Sequence, residues 1–371
     1  MHSAINIYQQ LKSNSQKLMI FSEDQRRIVL KAIGESLLLH QEEILAENAK
    51  DLEAAKKQNL SAVIVDRLTL NLKRIASMSQ ACQEIASQDS VLGFQGDIIK
   101  RPSGIEVRRQ TIPLGMLAMV FESRPNVIID AMALAIKSGN GLILKGGKEA
   151  HYSNRYLFQL ASKVFEATLN CHVFHYIDSR EEFHLLLKQN NLVDLVIARG
   201  GSDLINYVKQ EAVMPVMAHD KGLCHLYIHH DAKYEWVQSI VHNAKLSRPG
   251  VCNALESLLI HKNFAQLNEL IESLIAHGVE VRGCTETMKF SNRVVAATPV
   301  DYDTEFLDKV LSVKIVESEQ AAFRHIQQYS SHHTEGILAT DSKIINQFIA
   351  EIDASCLVIN SSTRFNDGAE L

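Results

Sequence analysis

Over residues 1 to about 90, apolar positions recur every three or four residues. Between Ser22 and Lys57, Ile28, Ile33, Leu37, Leu38, Ile44 and Leu45 stand among Glu, Gln and Lys, which predicts helices with one buried stripe each. Ser61 to Met78 repeats the pattern, and its charged residues read as a solvated face. At Gly104 the period changes to two. I-E-V-R-R-Q-T-I alternates like a half-buried strand, and Pro113-Leu114-Gly115 turns it into M-L-A-M-V-F, an apolar run of strand length. A loop (Glu122 to Val127), a helix-period run, the turn Gly139-Asn140-Gly141 and L-I-L-K-G-G-K-E-A follow, the order of a βαβ crossover.

The alternation continues. His151 to Leu169 predicts a helix, His172 to Ile177 a strand, Glu181 to Gln189 a helix, and Val193 to Ala198 a buried strand ending in Arg199-Gly200-Gly201. After a helix through Val208 come strands at Val213 to Met217 and Leu226 to His229, so residues 105 to 230 indicate a doubly wound α/β domain. Ligands of such sheets sit beyond the carboxyl ends of the strands, where Lys145, Gly146, Gly200 and Gly201 fall. From Asp231, the helix Tyr234 to Leu246 leads into further strands, the first at Glu256 to His261. The expected layout is two doubly wound α/β domains with a cleft: 1–230, a helical layer plus a nucleotide-binding domain; 231–365; and a short tail, 366–371.

Composition narrows the class. The chain has 371 residues, 46% hydrophobic and 22% charged, with a net charge of -5, ordinary for a globular protein and opposed to nucleic-acid binding driven by phosphate contacts. Six scattered cysteines with no C-x-x-C pair speak against a zinc site or disulfide scaffold and fit a reducing compartment. No stretch reaches the ~18 apolar residues of a membrane span, so a cytoplasmic location is the expectation.

The chemistry is expected in A-K-L-S-R-P-G-V-C-N-A-L-E-S-L-L-I-H, Ala244 to His261. Pro249-Gly250 makes a turn between helix and strand that holds out the thiol of Cys252. A thiolate is a strong nucleophile near neutral pH, yet a single cysteine is more often a small buried apolar residue. The sequence pattern leaves both readings open.

Resemblance separates them. R-P-G-V-C-N-A-L-E-S-L-L-I-H resembles the catalytic segment of the gamma-glutamyl phosphate reductase family, a branch of the aldehyde dehydrogenase superfamily. Further blocks match in the family's order: Pro113 to Val127, Ser138 to Ala150, R-G-G at Arg199, C-H at Cys224, Asn243 to Ala254, Thr304 to Val316, H-T-E at His333 and Asn360 to Phe365. No one block is specific; together they are.

The resemblance implies an aldehyde dehydrogenase-like fold and NADPH-dependent reduction of L-glutamyl 5-phosphate through a Cys252 thioester, with glutamate 5-kinase as a partner. It makes Asn126 an oxyanion donor, although Asn at a helix start also suits a cap. It puts Lys145 and Glu305 on the cofactor riboses, with a solvent-facing strand end and a surface acid as the plain alternatives. Gly146, Gly200 and Gly201 would approach the cofactor, and Arg124, Lys148, Arg199 and Arg248 supply cations for the substrate's anionic groups. His225 reads as a packed histidine rather than a partner of Cys224. The segment at 104–112 is expected in an oligomerisation arm. Three departures stand out: Lys221 where relatives carry an acid, Ala198 for a proline, and an end at N-D-G-A-E-L where relatives continue into a tail that helps them oligomerise. They leave open the homo-oligomer, and with it two rival readings: a dehydrogenase of another aldehyde, and a non-catalytic homologue.

Overall fold

The computed structural model describes residues 2–218 and 221–366. The chain divides into two compact units, Met1–His219 and Asp220–Leu371.

The first unit begins with helices His2–Ser15, Glu23–Leu39, Gln41–Lys57, Ala62–Leu68 and Leu72–Ser87. Ser22 and Gln25 close a reciprocal capping box that fixes where the second of these starts. Its buried stripe is Val29, Leu30, Ile33 and Leu37. Ile28 and Leu38, expected inside, are exposed (58% and 46%). Gly34 permits the close crossing with Leu72–Ser87, where a β-carbon would lie 3.0 Å from the Ser79 carbonyl oxygen.

The strand expected from Ile105 to Ile112 is instead a short antiparallel ribbon, β1 (Ile99–Lys100) with β2 (Glu106–Val107), solvent-exposed throughout. Alternation in sequence has no sheet to back it here, so neither side is buried.

The central sheet of this unit contains β3 (Met116–Phe121), β4 (Gly141–Lys145), β5 (Phe174–Tyr176), β6 (Leu195–Arg199) and β7 (Val216–Ala218). All pair parallel in the order β5-β4-β3-β6-β7. Leu117 and Phe121 pack against Val127–Lys137 and the N-terminal helices on one face; Ala118 and Val120 pack against Tyr8, Phe183 and Ile205 on the other. Burial on both faces explains why β3 and β4 read as unbroken apolar runs. Strand order reverses between β3 and β6, which puts Glu122, Arg199 and Gly200 beside the crevice where doubly wound sheets bind ligands.

The second unit is a seven-stranded parallel sheet. Its strands are β8 (Cys224–Ile228), β9 (Leu255–His261), β10 (Glu280–Gly283), β11 (Val295–Ala296), β12 (Val310–Val316), β13 (Thr334–Leu338) and β14 (Cys356–Ile359), in the order β11-β10-β12-β9-β8-β13-β14. β8 is an interior strand of this sheet, so the boundary lies at 219/220 and not at 230. A parallel strand buried on both faces carries no mark of which sheet it joins. Val237, Val241 and Leu270 cover one face and Phe323, Ile326 and Phe348 the other. Of the expected 366–371 tail, Asn366 is described and the rest lies outside the described residues.

Candidate active site

The helix Tyr234–Leu246 and β9 are both set into the second core, and the turn between them carries Cys252. Among the described cysteines, Cys252 alone is exposed. The plain reading of a buried apolar cysteine therefore fails for Cys252 and holds for Cys224.

The turn is tied at several points. Lys245 precedes it and Glu256 follows it, and their fully buried side chains pair at 2.8 Å. Burial pushes the Glu256 carboxyl up to about 7 against the opposing pull of Lys245, and burial likewise lowers Lys245. The other Glu256 oxygen accepts the Leu307 N–H at 3.2 Å. Leu307 has φ 54°, a left-handed backbone that a leucine adopts only under constraint. Asn253, next to the thiol, donates to the carbonyls of Arg364 and Asn366 and accepts from the Arg364 guanidinium, while the Thr363 hydroxyl donates to its carbonyl at 2.7 Å. The N-S-S-T-R-F block thus buttresses the cysteine turn.

On the other side, Gly222 lies against the Cys252 backbone so closely that a β-carbon would fall 2.6 Å from both Cα and the carbonyl carbon of Cys252. The Gly222 N–H donates to Glu305 Oε1 at 2.9 Å, Leu223 N–H to Ser331 at 3.0 Å, and Lys221 to the carbonyl and carboxylate of Asp303. The unexpected Lys221 therefore serves as a clamp. Cys224 donates its S–H to the Cys252 carbonyl (3.3 Å), and burial, then Glu335, keeps that thiol well above its usual range. His225 is buried with Nδ1 3.0 Å from Glu335, the packed role expected of it. Arg248 is exposed and pairs with no described residue.

In the first unit the structure gathers three expected residues into one cavity of about 270 Å³: Arg124, Asn126 and Arg199 line it, with Leu117 and Ile197 on the sheet side. Asn126 makes no side-chain cap; its Nδ2 donates to Asp130 Oδ2 at 2.8 Å instead. The capping alternative is thereby set aside. Asp130 had not been singled out, although a lone acid in the apolar run V-I-I-D-A-M-A-L-A-I-K, one turn after Asn126, was the available signal. Lys148 lines a different cavity, with Asp51 and His151.

Lys145 ends β4 with its ammonium on the Gly146 carbonyl at 2.7 Å, and burial lowers its pKa. Gly146 is crowded by Asn154 and by the Tyr176 hydroxyl, 2.9 Å from where a β-carbon would be. Gly200 and Gly201 face the Glu122 carboxylate, which accepts the Gly201 N–H at 3.0 Å. In this arrangement the two glycines hold a protein acid and offer no cradle to a second anion.

Comparison with known proteins fixes the lineage. The aldehyde dehydrogenase family matches residues 20–283. The gamma-glutamyl phosphate reductase of Desulfotalea psychrophila is 43% identical over 97% of this chain and 87% of its own length; that of Aliarcobacter butzleri is 41% identical over 98% and 89%. This chain belongs to the gamma-glutamyl phosphate reductase branch of the aldehyde dehydrogenase family. The crystal structure of the Thermotoga maritima gamma-glutamyl phosphate reductase superposes with a TM-score of 0.94 at 34% identity, covering 99% of this chain and 90% of that one. An acetylating aldehyde dehydrogenase from Geobacillus thermoglucosidasius, 15% identical with a TM-score of 0.66, shares the fold. A member of this family is an oxidoreductase that uses a nicotinamide cofactor and acts on a small molecule. Among the described residues no helix is long and apolar enough to cross a membrane.

Proposed function

We propose that the chain reduces L-glutamyl 5-phosphate to L-glutamate 5-semialdehyde and phosphate with NADPH, through a thioester on Cys252. The observation that carries this reading is an exposed thiol on a turn pinned from both sides, in a chain of this family. The Cys252 sulfur attacks the acyl carbonyl, the carbonyl π electrons move to oxygen, and their return expels phosphate and leaves the thioester. The backbone N–H of Cys252 is a donor suited to that oxyanion, and Asn126 is the side-chain donor the family resemblance assigns; removing one such donor typically costs about 3 kcal/mol of transition-state stabilisation. When bound, the nicotinamide supplies a hydride to the thioester carbon, and collapse of the adduct frees the aldehyde and the thiolate.

The residues present suit the cofactor in part. Lys145 is a fixed cation at a strand end, suited to a ribose hydroxyl or a 2′-phosphate. Glu305 uses Oε1 on Gly222, and Oε2 accepts from no described residue, which suits a ribose hydroxyl. Gly146 can approach with its backbone. Gly200 and Gly201 would do so only if Glu122 moved. Arg124, Arg199, Arg248 and Lys148 are the cations assigned to substrate carboxylate and phosphate, Lys148 lining a separate cavity from Arg124 and Arg199.

The test runs the reaction backwards: phosphate-dependent reduction of NADP⁺ by glutamate 5-semialdehyde. Turnover that needs phosphate is expected. Phosphate-independent oxidation of simple aldehydes alone would favour another dehydrogenase, and no activity in folded protein would favour a non-catalytic homologue.

A further inference from the structure

We propose that Asp130 recognises the α-ammonium group of the substrate, so that the cavity beside the helix Val127–Lys137 selects an amino-acid side-chain carbonyl over the same chain without the amine. This rests on the reaction proposed above and adds to it a specificity-determining residue.

Among the described residues that line that cavity Asp130 is the one acid, beside Asn126, Arg124, Arg199 and apolar walls such as Leu134 and Ile197. A half-buried carboxylate on this helix, whose other charged residue is Lys137 in the last turn, is unfavourable unless it is paired or has a partner to meet. Asn126 donates its amide N–H to Oδ2 and the Arg199 charge favours the carboxylate from nearby, while Oδ1 accepts from no described residue. The arginines alone would draw in any dianion. An acid between them favours a zwitterionic head, with the arginines facing its carboxylate and Asp130 its ammonium.

Asp130→Asn is isosteric and keeps an oxygen for the Asn126 N–H, so it removes the charge and leaves the amide oriented. In phosphate-dependent oxidation the wild-type protein should prefer L-glutamate 5-semialdehyde to 5-oxopentanoate, which lacks the amine. In Asp130→Asn the preference should fall by about 10- to 100-fold, the range for one charge-assisted hydrogen bond, mainly through KM for the semialdehyde. An equal loss on both aldehydes would mark a merely structural role and overturn the inference, as would an unchanged preference. A second readout needs no turnover: by calorimetry, wild type should bind L-glutamate at least about tenfold more tightly than glutarate, and Asp130→Asn should bind them alike. If wild-type protein oxidises neither aldehyde, the proposed reaction fails while the calorimetric comparison still decides on Asp130. Equal affinity of wild type for glutamate and glutarate overturns the inference whatever the kinetics show.

Discussion

Replacing Gly222 by alanine probes how tightly the cysteine turn is specified. The added β-carbon would lie 2.6 Å from Cα and the carbonyl carbon of Cys252, and closer still to its oxygen, where ordinary contact begins at 3.4 Å. Both neighbours are backbone, and both segments are anchored, one by Glu305, Ser331 and Asp303, the other by Asn253 and the Lys245–Glu256 pair. A displacement of about 0.8 Å or more must therefore be divided between these two backbones, one of them the nucleophile's peptide, and a misplacement near 1 Å can reduce turnover about 100-fold. Overpacking of this kind costs about 1–3 kcal/mol of stability, a fall of a few degrees in Tm for a unit of this size. Steady-state kinetics with a thermal melt measure both effects. Gly222→Ala should stay folded and lose most of its kcat with a smaller change in KM. Wild-type kcat would show that the position of the Cys252 peptide against Gly222 does not matter to the reaction.

Three further outcomes follow from the same geometry. Lys245→Met strands a buried carboxylate and should destabilise by about 3–5 kcal/mol, whereas Lys245→Met with Glu256→Leu should recover most of that; denaturant midpoints of the two variants compare them directly, and equal losses would contradict a buried ion pair. Burial pushes the Asp231 carboxyl up, but the Thr340 hydroxyl and N–H and the His229 ring outweigh it and bring the group down to about 2. Its stabilising contribution, about 2 kcal/mol, is present above the unfolded pKa near 4 and is lost as pH falls through the folded value near 2. The stability gap between wild type and Asp231→Ala should therefore be wide at pH 7, narrow below pH 4 and close as pH falls through 2; a gap independent of pH would contradict it. Lys145→Ala should raise the Kd for NADPH about tenfold, the loss of one charge-assisted contact, measured by quenching of nicotinamide fluorescence; unchanged affinity would remove Lys145 from the cofactor site.

What the sequence alone reveals of this fold depends on what each feature leaves in the local pattern. The helices His151–Leu169 and Tyr234–Leu246 have the predicted bounds because both carry a strong 3.6 period between clear breaks. The parallel strands were legible as apolar runs, but their sheet membership was not, and β8 moved to the second unit. Ile28 and Leu38 fit a three-four spacing yet lie one position off the true stripe, since an apolar side chain beside the stripe breaks no rule of the pattern. The exposed ribbon at β1 and β2 shows the converse, an alternation without a buried face. Around Cys252, the matched blocks proved to be struts: Asn360–Phe365 holds Asn253, and Thr304 to Val316 includes the Glu305 and Leu307 anchors. The Lys245–Glu256 pair spans a turn at no helical or strand spacing, and Glu122 reaches Gly201 across 79 residues; neither leaves a trace in a linear reading.

The central claim is that the Cys252 sulfur carries the acyl group. Mixing the protein with glutamate 5-semialdehyde and NADP⁺ without phosphate, quenching in acid and mapping the modified peptide by mass spectrometry tests it most directly. The account predicts a glutamyl adduct on the peptide holding Cys252, discharged when phosphate is added and absent from Cys252→Ala. Phosphate-dependent turnover that persists in Cys252→Ala, or an adduct on any other residue, would contradict it.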